Sequence, residues 1–145
     1  MADLINHKRA RFDFEILDTL EAGIGLLGFE VKSLKTRHGS LLGAHAIIRG
    51  GEAYIVGMNI PPYQPKNTPS DYQPDRTRKL LLSKKEIATL GGWERKKGFT
   101  IIPTRMYAKN NIIKIELAIA RGKKKYDKRE VLKRRDTERS IRQEI

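Results

Sequence analysis

Ala44-His45-Ala46-Ile47-Ile48-Arg49-Gly50-Gly51-Glu52-Ala53-Tyr54-Ile55-Val56 places two short apolar runs on either side of a Gly-Gly pair. A tight two-residue hairpin turn needs φ > 0 at its centre, which glycine adopts at no steric cost. The stretch therefore predicts an antiparallel β-hairpin. Toward the N-terminus, Phe29 to Lys35 reads as one short helix, and Ile24 to Leu27 is an apolar run set off by Gly23 and Gly28. Phe12-Asp13-Phe14-Glu15-Ile16 alternates apolar and acidic residues, the period of a half-buried strand. Toward the C-terminus, Pro61 to Pro74 has no periodicity and reads as a long loop, a type that is usually functional or disordered. Leu80-Leu81-Leu82 reads as a buried strand end. Ser83-Lys84-Lys85-Glu86 follows as a capping box, opening a helix with Ile87 and Leu90 on one face and weakened midway by Gly91-Gly92. Thr100–Met106 and Ile112–Ile119 pair as a last hairpin across Lys109-Asn110-Asn111, with Pro103 marking an edge or bulge. Hairpin-linked short strands with two short helices predict a mainly β (α+β) chain. The architecture expected is a small antiparallel barrel of oligonucleotide-binding type.

The barrel is expected to occupy residues 1–120, with 121–145 as a separate basic tail. That tail carries eleven Lys/Arg against five acids, +6 of the chain's +13, and its only aliphatic residues are Val131, Leu132, Ile141 and Ile145. Alone it cannot bury enough apolar surface to offset its ordering entropy, so it is expected to be disordered when free. Asp127 with Glu130 is nonetheless a helix-start signal, and Glu130–Arg134 and Glu138–Arg142 are helix-supporting i,i+4 pairs. A basic segment near the coil–helix balance suits a polyanionic partner, nucleic acid above all, on which it becomes helical.

The 145 residues contain no Cys, which excludes disulfides, thiolate chemistry and zinc knuckles and suits a reducing compartment such as the cytoplasm. No apolar run opens the chain as a secretory signal, and none reaches the length of a membrane span. Gly23-Ile24-Gly25-Leu26-Leu27-Gly28 spells a dinucleotide fingerprint, but the preceding strand alternates, the following helix is short and no βαβ unit follows. Tight-turn glycines explain it better. His7, His38 and His45 are scattered with no Cys to join them as metal ligands, and acids such as Asp13, Glu15, Asp18 and Glu21 are ordinary on an exposed strand face. No Ser elbow, Walker loop or HExxH is present, so neither catalysis nor a cofactor is expected. Arg76, Arg78 and Lys79 precede a strand whose rigidity would fix their cationic groups against phosphate, and Tyr63 and Tyr72 in the loop offer stacking surfaces.

Several ordered motifs now converge. They are Ala10-Arg11, Glu21-Ala22-Gly23-Ile24, Gly28-Phe29-Glu30-Val31-Lys32-Ser33-Leu34, Pro62-Tyr63, Asp75-Arg76-Thr77-Arg78-Lys79-Leu80-Leu81-Leu82, and Ala120-Arg121-Gly122-Lys123-Lys124 followed by Asp127-Lys128-Arg129. Across essentially its whole length the chain resembles the SsrA-binding protein (SmpB) family, the protein partners of transfer-messenger RNA in bacterial ribosome rescue. The resemblance implies a non-enzymatic division of labour. The barrel would hold the tRNA-like domain of transfer-messenger RNA through Asn6, Arg9, Glu21, Lys32, Arg76, Arg78, Lys79 and Leu81. The tail, through Gly122, Lys123, Lys124, Tyr126, Asp127, Lys128 and Arg129, would enter the empty messenger channel near the decoding centre of the small ribosomal subunit. Elongation factor Tu would be met indirectly, through the charged RNA, and a membrane not at all. Three departures stand out. His7 is inserted after Asn6, so either could take the N-terminal RNA contact. Thr36-Arg37-His38-Gly39-Ser40 replaces a small-residue turn. Tyr126 precedes Asp-Lys-Arg, where it could stack on a base. Leu81 reads equally as core or as RNA-facing.

Overall fold

The structure, a computed structural model, describes residues 3–123. The tail residues Lys124, Tyr126, Asp127, Lys128 and Arg129 lie outside the described residues. Seven strands form one antiparallel sheet: β1 (Asp3–Asn6), β2 (Phe14–Ile24), β3 (His45–Arg49), β4 (Glu52–Val56), β5 (Arg78–Leu81), β6 (Phe99–Lys109) and β7 (Ile112–Gly122), in the order β1-β6-β7-β2-β5-β4-β3. Three helices accompany them: α1 (Ala10–Asp13), α2 (Gly28–Lys35) and α3 (Lys84–Arg95). A single 3-10 turn (Pro65–Asn67) lies in the long loop. No helix among the described residues is long and apolar enough to cross a membrane.

The Gly-Gly hairpin forms as its sequence demands. Gly50 and Gly51 take φ of 58° and 75°, and Ile48 pairs with Ala53. The last hairpin reverses at Asn110 and Asn111, both at positive φ, and the ladder slips between Pro103 and Arg105, where proline has no N–H to give. At the N-terminal end the reading changes. Phe12 and Asp13 close the single turn of α1, and β2 starts at Phe14 and runs to Ile24, its ladder with β7 slipping between Ile16 and Asp18. Asp13 N–H donating to Arg9 O at 2.9 Å locally outcompetes the alternation of period two. Gly91-Gly92 does not break α3, because Ser83 and Glu86 cap its start reciprocally and Leu90 is buried in the core.

One apolar core fills the concave side of the sheet, with Leu34, Leu41, Ile55, Met58, Ile60, Leu80, Leu90, Ile101, Met106, Ile115 and Leu117 among its wholly buried side chains. A second, smaller cluster lies on the other face, where Ala10 of α1 covers Ile102, Ala118 and Ala120 and Phe14 and Ile16 pack at its margin. β3 comes up against β6, but the two strands do not pair, so the barrel is left open. Glu94 of α3 occupies the seam. Its Oε2 accepts the Ile48 N–H at 2.7 Å and its Oε1 accepts Arg49 Nη1 at 2.6 Å, taking a backbone donor that closure would need. The described chain also continues three residues beyond Ala120. Gly122 pairs with Phe14 and Arg121 with Glu15, and Lys123 N–H donates to Asp13 O at 3.0 Å.

Candidate nucleic-acid interface

The motif residues between α2 and β5 meet in a buried ion cluster. Glu30, third residue of α2, turns its side chain back so that Oε1 accepts the Leu27 N–H at 2.8 Å. The same oxygen takes Arg76 Nη2 at 2.5 Å, while Oε2 takes Arg76 Nε at 3.1 Å, Arg78 Nε at 3.0 Å and Arg78 Nη2 at 2.5 Å. Tyr72 OH lies 2.8 Å from both Glu30 Oε2 and Ile60 O, and donates its one proton to either. Burial alone would push the Glu30 carboxyl up. The hydrogen bonds from Arg76, Leu27, Arg78 and Tyr72 outweigh it and hold the group at about 2. Burial, then the hydrogen bond to Glu30 and the charge of that carboxylate, pushes the Tyr72 hydroxyl up to about 12.

This cluster explains why the long loop is ordered. Arg78 also donates to the carbonyls of Met58, Pro74 and Arg76, and Ser33 Oγ donates to Pro61 O at 2.7 Å. Both ends of the loop are thus tied to α2, with Phe29 edge-on to the Tyr72 ring at 4.7 Å. The expectation that Arg78 faces phosphate is corrected here, since Arg78 and Glu30 are both 0 % exposed. Arg78 lies inward on β5, where only a fully hydrogen-bonded guanidinium is tolerable. Arg76, 29 % exposed at its side chain, sits at the mouth of the cluster and shows part of its guanidinium to solvent. Tyr72 is consumed as a stacking surface, whereas Tyr63 remains 43 % exposed.

β5 alternates, so Lys79 and Leu81 point outward while Arg78 and Leu80 point inward. Leu81 is 57 % exposed, which settles its side of the sheet. It packs over Gly23, where an added Cβ would come within 3.1 Å of Leu81 Cβ. Directly opposite residues of an antiparallel ladder share a face. One outward row therefore runs Leu81, Gly23, Lys114, Tyr107, Asp3, and the next runs Glu21, Glu116, Arg105, Asn6. Glu21 Oε2 accepts from Tyr107 OH at 2.6 Å and lies 3.5 Å from Lys109 Nζ. Arg105 donates to Asp3 Oδ1 at 2.7 Å and Glu116 Oε2 at 3.2 Å, and its guanidinium lies 4.3 Å above the Tyr107 ring.

The fold thus brings Asn6, Glu21, Lys79 and Leu81, distant in sequence, onto one outer face. Lys79 has Glu52 at 3.3 Å. Asn6 is exposed, whereas His7 is fixed to β6: its N–H donates to Thr104 O at 2.8 Å and its Nδ1 lies 3.2 Å from Pro103 O. Lys32 is exposed on α2, and Arg9 sits at the opposite end of β2, 3.6 Å from Asp13 and over the Phe12 ring. The departing turn is anchored as well, with Arg37 Nη1 donating to Asp3 O at 2.6 Å and Thr36 Oγ1 to Ser33 O at 2.8 Å. Gly122 closes β7, and Lys123 Nζ donates to Arg11 O at 2.8 Å, which places Lys123 beside α1. Sequence reasoning missed Arg105, Tyr107, Lys109 and Lys114. The alternation Arg105-Met106-Tyr107-Ala108-Lys109 was the available signal, lost by ending that strand at Met106. Among the described residues no three His, Asp or Glu side chains gather as a metal site.

Comparison with known proteins points the same way. The family model described as SmpB protein matches residues 4–145. An SsrA-binding protein of Chlorobaculum tepidum is 48% identical over 140 residues, covering 96% of this chain and 88% of that protein. One from Gloeothece citriformis is 45% identical over 138 residues, covering 95% and 89%. A solved structure described as "tmRNA-SmpB: a journey to the center of the bacterial ribosome" superposes with a TM-score of 0.71 at 40% identity, covering 88% of this chain and 92% of that one. By sequence along nearly its whole length and by fold, the chain belongs to the SmpB family of SsrA-binding proteins.

Proposed function

We propose that the chain binds the tRNA-like domain of transfer-messenger RNA and delivers it to stalled ribosomes for trans-translation, as a cytoplasmic binding protein and not as an enzyme. Residues 1–120 supply the RNA-binding body, extended by the β7 pairing to Gly122, and the basic residues that follow serve the ribosome. The observation that carries this reading is the shared outer face of Asn6, Glu21, Lys79 and Leu81, which a flat charge run would not assemble. A carboxylate acceptor, a cation and an exposed leucine on one rigid sheet suit a folded RNA, whose bases and backbone both present themselves. Lys32 and the exposed part of Arg76 extend the surface beside it, and Arg9 marks a second, more distant contact. Arg78 supports this surface from beneath through Glu30 and carries no contact of its own.

The tail, including Gly122, Lys123, Lys124, Tyr126, Asp127, Lys128 and Arg129, is assigned to the empty messenger channel near the decoding centre, on the strength of its +6 charge and the family's motif. Elongation factor Tu joins through the charged RNA. Two measurements test the assignment. The full chain should prefer a folded tRNA-like RNA to an unstructured RNA of equal length at matched salt, and equal affinities would favour a generic single-stranded RNA module instead. Replacing Asp127-Lys128-Arg129 by Ala should leave RNA affinity intact while abolishing single-turnover peptide transfer on stalled ribosomes. Normal transfer would remove the tail from the mechanism.

A further inference from the structure

Between residues 84 and 97 the chain sets five cations, Lys84, Lys85, Arg95, Lys96 and Lys97, against two acids. Both acids are already spent. Glu86 Oε1 takes the Ser83 N–H at 3.0 Å in the helix cap, and Glu94 holds the Ile48 N–H and Arg49 at the open seam. All five cations are exposed, and none forms an ion pair among the described residues. Lys84 and Lys85 stand in the first turn of α3, where the positive end of the helix dipole disfavours them. Helix stability alone gives no reason for a cation pair at that end.

The cations share one side of α3. At 100° per residue Lys84, Lys85 and Arg95 fall within an arc of about 100°, and the exposed positions Ala88 and Thr89 between them carry no charge. Ile87, Leu90 and Trp93 occupy the other side and pack into the core on the concave side of the sheet. The cationic side therefore faces away from the sheet and from its outer rows. Its C-terminal end is fixed. The Lys96 N–H donates to Trp93 O at 3.1 Å, the Phe99 N–H returns to Lys96 O at 3.2 Å, and Gly98 takes φ 88°, which closes the turn that carries Lys97. Lys96 Nζ lies 4.4 Å above the Trp93 ring, itself stacked at a tilt against Phe99. Lys84 and Arg95 stand about 17 Å apart along the helix axis.

Resting on the ribosome reading above, we infer that this side of α3 is a second RNA surface, which takes the phosphate backbone of a double-stranded segment of ribosomal RNA. Two groups of cations held at a set distance on a rigid helix suit phosphates that are themselves held at fixed spacing, as in a paired A-form helix. A single strand bends to meet either group and gains nothing from the preset distance. With Leu90 anchoring α3 on the concave side, a tRNA-like RNA on the outer rows leaves this side uncovered.

The test compares three full-length variants, each lacking two exposed cations: Lys84→Gln with Lys85→Gln, Arg95→Gln with Lys97→Gln, and, as a charge-matched control, Lys35→Gln with Lys66→Gln. Lys96 is kept, so the Trp93 contact survives in all of them. Each α3 variant should bind vacant ribosomes about tenfold more weakly than wild type, with the slope of log affinity against log salt reduced by about two. Affinity for a tRNA-like RNA should not change, and the control should match wild type on both. A short, fully paired RNA duplex should lose affinity for each α3 variant by a similar factor. Unchanged ribosome affinity in either α3 variant would mean that those cations serve only solvation. Equal losses in the control would reduce the effect to net charge, and equal losses on the tRNA-like RNA would assign α3 to that RNA instead. Weaker ribosome binding with unaltered duplex binding would replace ribosomal RNA by a ribosomal protein. If wild type binds neither ribosomes nor the tRNA-like RNA, the reading beneath falls, and that result is distinct from all of these.

Discussion

Arg76 and Arg78 are two residues apart in sequence yet occupy different media, one at a mouth and one wholly enclosed. A sequence window cannot separate them, because both are cations before an apolar run. Their separation comes from β5 alternation, which turns Arg78 toward Glu30. Arg78→Ala would leave Glu30 buried with half its charged donors gone, so it should destabilise the protein by about 3–5 kcal/mol in urea unfolding. Arg76→Ala, with water able to replace it, should cost clearly less. Equal effects would contradict the burial difference. Glu30 also makes stability depend on acid. Its folded value of about 2 lies below its ordinary 4.5, so its contribution is full above 4.5 and is lost as pH falls from there toward 2. The loss amounts to about 3 kcal/mol. Denaturation series at pH 6, 4 and 3 should show this fall in wild type and a flatter profile in Glu30→Gln.

At the scale of elements, turns were the most legible parts of the chain and strand ends the least. Gly50-Gly51 and Asn110-Asn111 are local demands for positive φ, and nothing distant competes with them. Asn111→Val puts a β-branched side chain at φ 64°, which should lower stability by about 1–2 kcal/mol in thermal unfolding. Asn111→Gly should be near neutral, and a stable Val variant would mean that the turn had rearranged. α1 was missed because one helical turn leaves no periodic signature, and β1 because four residues leave no useful alternation. Both are decided by what they lie against, Ala10 over Ala118 and Ala120, and Asn6 beside Arg105. Gly91-Gly92 stays helical for the same reason, since the packing of Leu90 and the capped start outweigh two glycine penalties.

For the whole molecule, the end of the folded body matters to any dissection of the tail. A chain ending at Ala120 loses the Arg121–Glu15 ion pair, the Gly122–Phe14 pairing and both Lys123 anchors on α1. A chain ending at Lys123 keeps them. The longer truncation product should match full-length protein in melting temperature and in binding a tRNA-like RNA, and the shorter should be less stable by about 1–3 kcal/mol. Identical melting of the two would show these terminal contacts to be idle. By itself the sequence determined the antiparallel, hairpin-built class, both tight turns, the capped start of α3, the basic tail and the family, because these rest on local backbone demands or on residue order. The tertiary structure alone decided that Arg78 is internal, that Leu81 is external and that Glu94 takes the Ile48 N–H at the open seam. It also decided that Tyr107 meets Glu21 across 86 residues. The physical reason is the same in each case: a side chain's environment is set by the strands and helices beside it, and those neighbours come from far along the chain.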